Sequence, residues 1–387
     1  VDDLTDVRRR GGGLAPRLAL KLAVAPLMIV VAATPPAGAQ PTPPPQAEAA
    51  AQEGRFTGIA ALHDNDGLPN VGNTFRDDNY SAGIALRVSG RAIRDWRLTA
   101  PLEGLDWLTR VSSAHRRAAL ASHSIAVVGA AYTPNDLVAV EPQRDDRPFA
   151  SLFGITLRRQ TVAHGLEQSW TSELTVGALG LDAARAVQSF LHRTRRWMTG
   201  NPVPPDPRGW PNQISDGGEP TALYRVAVDR RLAGAGAGPL RKRWQLTGGL
   251  EGSLGFQTTL AGTLTVRAGA FTTEFWEFAS GILSPGLGRQ VPAAARWEAF
   301  VFGAARPRVV AYNALLQGQF RSSVHTVRPR RVVGEWEGGL GLGGPLGGYQ
   351  VQMLVGLAQG RSTEWIGDRA TPSTWGTVSI VVSRPGR

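Results

Sequence analysis

The chain has 387 residues, 42 Lys and Arg against 31 Asp and Glu, a formal net charge of +11, and no cysteine. Without cysteine there is no disulfide framework, no thiolate nucleophile and no thiolate metal site, while export stays compatible. Part of the positive charge belongs to the N-terminal leader and the other arginines are scattered, which argues against nucleic acid and for an anionic surface such as phosphorylated lipid.

The leader comes first. Arg8, Arg9, Arg10, Arg17 and Lys21 precede or open a mostly apolar stretch over 18–33, and Pro35-Pro36-Ala37-Gly38-Ala39 ends in a small-x-small pattern. This order predicts a signal peptide over 1–39, cut after Ala39. The alternative, a single membrane anchor, fits less well, because Lys21 and Pro26 break an apolar run already short for a span. Residues 40–55, rich in Pro and Ala, read as a flexible lead-in, and 56–387 as one domain. After the leader no apolar run is long enough for a membrane helix. A barrel strand needs only alternate apolar residues over roughly ten positions, because its backbone groups pair with neighbouring strands.

The body of the chain repeats such segments between Gly, Pro, Asn and Asp. Trp244, Leu246, Gly248 and Leu250 alternate with Arg243, Gln245, Thr247 and Glu251. The same period sets Leu260, Leu264 and Val266 against Thr263, Thr265 and Arg267, and Val351, Met353 and Val355 against Gln350 and Gln352. Strands are expected near 56–63, 80–90, 122–131, 150–162, 168–178, 220–232, 242–252, 258–270, 296–306, 318–328, 332–342, 348–359 and 373–383. That is one more than an even number, and bacterial barrels close evenly, so twelve is the expected count. A soluble sandwich also alternates. The leader, the number of segments, and Trp244, Trp297, Trp336, Tyr349 and Trp375 as interfacial belts favour an all-β, antiparallel transmembrane β-barrel.

If the first strand runs outward, the dense polar motifs share one rim. His63-Asp64-Asn65-Asp66-Gly67 closes strand one there and Asp77-Asp78-Asn79-Tyr80-Ser81 opens strand two. Tyr132-Thr133-Pro134-Asn135-Asp136 and Asp145-Asp146-Arg147-Pro148-Phe149 flank the next rim loop, and a long loop spans 177–221. Within it, Asp182 can cap a short helix reaching His192, with Gln188 one turn earlier on the same face. The segment 91–121 falls at the opposite, periplasmic end, where turns are usually short, so it holds an insertion or an unrecognised excursion.

No G-x-S-x-G, no H-E-x-x-H and no phosphate loop is present. What remains is a histidine with amides and carboxylates. An imidazole can take a proton from water, and a hard cation on oxygen ligands can polarise an ester carbonyl, which permits esterolysis without a protein nucleophile. Each residue keeps a plainer alternative. Asn65 and Asp66 are oxygen ligands or a turn cap, Ser81 orients water or is structural, and Gln188 and His192 serve the site or are helix surface. Asp64 and Asp78 assist or, more simply, solvate a loop. His63, His164 and His325 lack convergent neighbours. Arg147 pairs with Asp145 or Asp146, or meets a lipid phosphate. Trp197-Met198 and Gly209-Trp210 dip toward headgroups or form a small satellite core.

In their order along the chain these pieces resemble the outer-membrane lipid A 3'-O-deacylase family, LpxR-like. The matching residues are Asn65-Asp66, Asp78-Asn79-Tyr80-Ser81-Ala82-Gly83, Tyr132-Thr133-Pro134-Asn135-Asp136, Asp146-Arg147-Pro148-Phe149-Ala150, Gln188 with His192, Gly209-Trp210 with Asn212-Gln213, and Glu219. They lie mainly within 59–225, and the C-terminal half adds Leu315, Gln317-Gly318 and Phe320 to its strand rhythm. The resemblance implies a twelve-stranded barrel with its site facing the extracellular side. It implies a calcium-dependent esterase that frees the 3'-linked acyloxyacyl group of lipid A in lipopolysaccharide. Its catalytic residues would be His192, Asn65, Asp66, Ser81 and Gln188, with Ca2+ held at Asn65 and Asp66. Ser81 stands where threonine is common, Phe149 where tyrosine is, and Leu181-Asp182 replaces a Gly-Pro opening. These departures touch loop geometry and chain preference more than the reaction. Lipopolysaccharide and outer-membrane lipid are the expected partners, and the sequence names no protein partner and is compatible with a monomer. The competing readings are a non-enzymatic porin or structural barrel and a soluble sugar-binding sandwich.

Overall fold

The structure, a computed structural model, describes residues 53–68, 79–199, 206–236, 242–278, 297–321 and 323–384. The expected signal peptide, nearly all of the lead-in, and Asp77 and Asp78 lie outside them.

The wall is built by β1 (Gly58–Asn65), β2 (Asn79–Ser89), β3 (Leu120–Thr133), β4 (Ala150–Val162), β5 (Gln168–Leu179), β6 (Glu219–Gly236), β7 (Lys242–Gly255), β8 (Gln257–Phe271) and β9 (Glu298–Asn313). A two-residue bridge, β10 (Arg328–Pro329), precedes β11 (Val332–Leu346) and β12 (Tyr349–Arg361); a second, β13 (Trp365–Ile366), precedes β14 (Ser373–Ser383). β10 pairs only with β13. The other twelve close into one antiparallel barrel in which each strand pairs with its neighbour in the chain and β1 pairs with β14. Closure leaves no strand edge, as a wall in lipid requires.

The alternation reads inside out. Exposed positions are apolar: Ile84, Leu86, Val127, Phe153, Ile155, Leu264, Val266, Met353 and Ile380. Many of their neighbours one residue away are buried and polar, among them Arg87, Thr156, Gln352 and Ser379, and others are buried and apolar, such as Ala85 and Val128. A soluble sandwich would invert this, so the pattern belongs to a lipid-facing barrel. Trp244, Trp297, Trp336 and Tyr349 are exposed as belts require, but Trp375 turns inward, its ring 4.9 Å from that of Tyr80.

The expected strand over 318–328 is not part of the barrel. Asn313 ends β9 by capping a short helix, α5 (Ala314–Gln317): its side chain accepts from the Leu315 N–H at 3.1 Å. Gly318, at φ +71°, then turns the chain over the barrel mouth. The Leu-x-Gln-Gly-x-Phe rhythm imitates a strand, but a capped helix and a left-handed glycine interrupt it.

Charged side chains cross the lumen in linked ion pairs. Glu173 meets Arg225 at 2.7 Å, Arg158 at 3.4 Å and Arg87 at 4.0 Å, and Arg225 continues to Glu251. Glu335 meets Arg361 at 2.7 Å, Arg308 at 2.8 Å and Arg306 at 3.5 Å. Nearer the mouth, Glu364 joins Arg361 at 2.9 Å and Arg147 at 3.7 Å. The cavity left between them is about 220 Å³.

The segment after β2 is a helical insertion: α1 (Arg91–Arg94), α2 (Ala100–Leu108) and α3 (Ser112–Arg116). Because Glu173 and Arg225 point inward, their register neighbours Leu174 and Tyr224 point outward. The insertion packs on that outer wall, with Leu102 and Val111 against Leu157, Trp170, Leu174, Tyr224 and Val226. A buried polar cluster fixes it. Asp106 accepts from the Ser172 hydroxyl at 2.9 Å and the Tyr224 hydroxyl at 2.8 Å, and His115 contacts Ser172 at 3.1 Å and Thr161 at 2.8 Å.

Candidate active site

The site starts from a bulge. β2 and β3 pair Tyr80 with Tyr132 and Ala82 with Ala131, leaving Ser81 as the extra residue. A bulge lets successive residues share a face. Tyr80 stays inside, donating to Asp64 at 2.9 Å, whereas Ser81 and Ala82 line a cavity on the outer wall. The Ser81 hydroxyl lies 2.6 Å from that of Thr133.

The turn after β1 supplies the next two side chains. Asn65 donates from Nδ2 to the Ser81 carbonyl at 2.9 Å and accepts from the Gly67 N–H at 2.7 Å. This Asx turn holds the strand end against β2 and sets the buried Asp66 beside Ser81. Asn65 is therefore a turn cap that also lines the cavity.

The remaining wall is α4 (Ala183–Thr199), longer than the expected helix ending near His192. It begins just after Gly180, whose φ is +70° and whose missing Cβ would sit 2.1 Å from the Ser215 carbonyl. Only glycine allows that approach. Gln188 and His192, both buried, face the barrel one turn apart, while Val187, Phe190 and Trp197 are exposed.

Asn65, Asp66, Ser81, Gln188 and His192 thus line one cavity of about 170 Å³ between α4 and the outer wall. Its other lining is largely apolar or small, including Ile84, Gly129, Phe153 and Val187. Ile84 and Phe153 belong to the exposed apolar band, so the cavity is continuous with the lipid-facing surface.

Other expectations divide. Asp64 neither lines this cavity nor solvates a loop; it is buried on the lumenal side between Tyr80 and Thr377. Arg147 is buried, stacked 4.4 Å from the Tyr132 ring centre and facing Glu364, while Asp145 pairs with Arg369 at 3.0 Å. Asp146 instead holds the backbone N–H of Asn135 at 2.9 Å and of Arg147 at 2.7 Å. The two Trp-bearing pieces part company: Trp197 is 85% exposed, whereas Trp210 is buried against Phe149 and Leu137. His164 lies in the turn before β5, and His325 donates from Nε2 to the Asp146 carbonyl at 2.7 Å.

Three residues that the sequence reading named but left out of the catalytic set join the site. His63 lines the cavity, its Nδ1 3.2 Å from the Gly83 carbonyl. Its place two residues before Asn65, on the same strand face, was the available signal. Thr133 meets the Ser81 hydroxyl at the bulge. Trp210 donates its indole N–H to Gln188 at 3.0 Å.

The donors around the cavity are oxygens and imidazoles: the Asp66 carboxylate, the Asn65 and Gln188 amides and the Ser81 hydroxyl. Among the described residues no group of three or more His, Cys, Asp and Glu gathers as a metal centre. One carboxylate with neutral oxygens suits a hard cation completed by water and substrate oxygens, not a soft metal. The Asn65 carbonyl has a second lone pair beyond the bond from Gly67.

The family model of the outer membrane protein LpxR matches residues 23–383 of this chain. Among solved structures, LpxR from Salmonella typhimurium is similar at a TM-score of 0.64 and 17% identity, over 84% of this chain and 99% of that one. At that identity the likeness shows the barrel fold. The β domain of the Bordetella autotransporter BrkA is similar at a TM-score of 0.37 and 10% identity, over 85% of this chain and 99% of that one, and says nothing of this chain's chemistry. No curated protein matches. With a closed twelve-stranded wall, its apolar face outward, and a family match over nearly all its length, the chain belongs to the family of the outer membrane protein LpxR.

Proposed function

We propose that this barrel is a lipid A 3'-O-deacylase: an esterase that hydrolyses the ester linking the acyloxyacyl group to the 3' position of lipid A. The observation that carries the reading is the position of the cavity. Its polar side chains sit beside exposed Ile84 and Phe153, where the acyl chains of a membrane lipid lie. A soluble ester would have no reason to approach from that side. The ion pairs crossing the lumen count against the porin reading, because a porin keeps a water-filled channel.

In this reading the leader over 1–39 is removed on export and the rim bearing Asn65 and His192 faces outward. His192 takes a proton from water, whose oxygen attacks the ester carbonyl. The tetrahedral intermediate collapses by expelling the sugar alkoxide, and the proton on His192 passes to that alkoxide. The products are the acyloxyacyl carboxylate and the free 3' hydroxyl. Gln188 and Ser81 orient water and substrate by hydrogen bonds, and Asn65 and Asp66 would hold calcium. Bound calcium supplies positive charge that polarises the carbonyl and stabilises its oxyanion.

The test is mass spectrometry of lipid A incubated with the folded barrel, with calcium present and with calcium chelated. Loss of the mass of one acyloxyacyl group is expected only with calcium, and His192→Asn should abolish it. An unchanged lipid A mass with folded protein and calcium would overturn the assignment.

A further inference from the structure

The insertion over 91–117 buries one face on the barrel and presents another that no other described residue covers. That second face is apolar and basic together. Trp96, Leu98, Trp107 and Leu108 are exposed, Trp107 at 69% and Leu108 at 68%. Around them stand six exposed arginines, Arg91, Arg94, Arg97, Arg110, Arg116 and Arg117, against two exposed acids, Asp95 and Glu103. Asp95 is already paired with Arg94 at 3.1 Å.

The location fits this composition. β1 rises to the rim that carries Asn65, β2 descends from it, and the insertion follows at the opposite end of the wall. It lies on the outside of the barrel, shielding Trp170, Leu174 and Tyr224. A face at that place meets the boundary between acyl chains and headgroups. There, Trp with its apolar body and polar edge, Leu, and surrounding arginines match an anionic lipid surface.

We propose that the insertion is a docking surface for anionic phospholipid in the periplasmic leaflet, with Trp107 and Leu108 seated among acyl chains and the arginines on phosphate headgroups. The barrel would then engage different lipids at its two ends: the deacylation cavity at one, and at the other a phospholipid clamp that fixes depth and tilt. The clamp rests on the membrane orientation proposed above, yet its test reads no hydrolysis, so either idea can fail alone. The Asp106, Ser172 and His115 cluster explains why the insertion stays on the wall instead of trailing into water.

The folded barrel in bilayer discs of phosphatidylethanolamine and phosphatidylglycerol should retain phosphatidylglycerol several-fold above its bulk share, read by native mass spectrometry. Arg94→Gln with Arg97→Gln, Arg110→Gln and Arg117→Gln should bring the ratio back to the bulk value. Retention at the bulk ratio by the parent, or unchanged enrichment in the variant, would overturn the proposal. The chain has no cysteine, so Leu108→Cys gives a single spin-label site and tests the apolar half whatever happens to the arginine variant. That label should collide with oxygen in preference to a water-soluble nickel chelate. The reverse preference, as for a face awaiting a soluble protein partner, would equally sink it.

Discussion

The indole N–H of Trp210 donates to the side-chain carbonyl of Gln188 at 3.0 Å, and both residues are buried. This bond ties the segment after α4 to the helical turn that carries His192. Trp210 is itself packed on Phe149, whose ring centre is 5.0 Å away, so the β3–β4 loop, the segment before β6 and the helix are joined through one indole.

Trp210→Phe keeps the ring and removes the donor. Losing one such hydrogen bond costs about 0.5–1.5 kcal/mol, and here the cost falls on the pose of α4. Lipid A turnover should fall on the order of tenfold, while the barrel keeps its heat-modifiable mobility on gels. Wild-type turnover by the variant would show that the bond does not position the helix.

Ser81 is the extra residue of a bulge, and its hydroxyl lies 2.6 Å from Thr133. Ser81→Thr retains that hydroxyl and should turn over lipid A at close to the parent rate. Ser81→Ala should lose roughly five- to tenfold, the worth of about one hydrogen bond. Equal rates in the two variants would assign Ser81 a purely structural role.

The insertion carries two oppositely shifted groups. Burial raises the Asp106 carboxyl from 3.8 to about 6, and burial, with Arg159 and His123 adding to it, lowers His115 from 6.5 to about 3. As pH falls from about 6 to 4 the folded state takes up a proton at Asp106 that the unfolded chain does not, which stabilises it. Over the same fall the unfolded chain protonates His115 while the folded state does not, which destabilises it. In the parent the two oppose each other, so hydrogen exchange of 100–116 should vary little across that window. Asp106→Asn should leave the histidine alone, so that protection falls on acidification; His115→Gln should leave the carboxyl alone, so that it rises. The same slope in both variants would refute the assignment.

Glu173 faces three arginines in the lumen. Glu173→Gln removes the carboxylate that Arg87, Arg158 and Arg225 share, leaving Arg225 its pair with Glu251, which should cost about 3–5 kcal/mol of stability in urea unfolding. The parent barrel in a planar bilayer should show little of the steady conductance of a porin. A neutral stability change would mean that water already screens these pairs.

Much of the wall is legible in the sequence. The alternation of Gln350 and Gln352 with Val351 and Met353 marks an outward apolar face because side chains in a strand alternate by backbone geometry alone. The limits of β4 are those read from the chain, since a long alternating run between turns leaves no other solution. The surplus strand over 318–328 failed for a local reason: Asn313 reads equally as strand end and helix cap, and only the fold decides. Trp375 was expected in the belt and turned inward because its register partner across β14 and β12 is Gln359, whose amide reaches the lumenal Thr377.

The sequence by itself determined most of the wall: alternation marks its twelve strands with one surplus, closure demands an even number, and parity then sends 63–67, 79–81, 132–136 and 177–221 to one rim. The rest needed three dimensions. That Asp64 faces the lumen while its neighbours Asn65 and Asp66 line an outer cavity depends on a turn and on a bulge at Ser81, and a one-residue bulge leaves no trace in composition. That α4 lies on the outer wall, not across the mouth, and that the 91–117 insertion does the same at the other end, depends on contacts between residues tens to more than a hundred positions apart. Periodicity fixes which way a side chain points from its own strand; only the closed barrel fixes what it finds there.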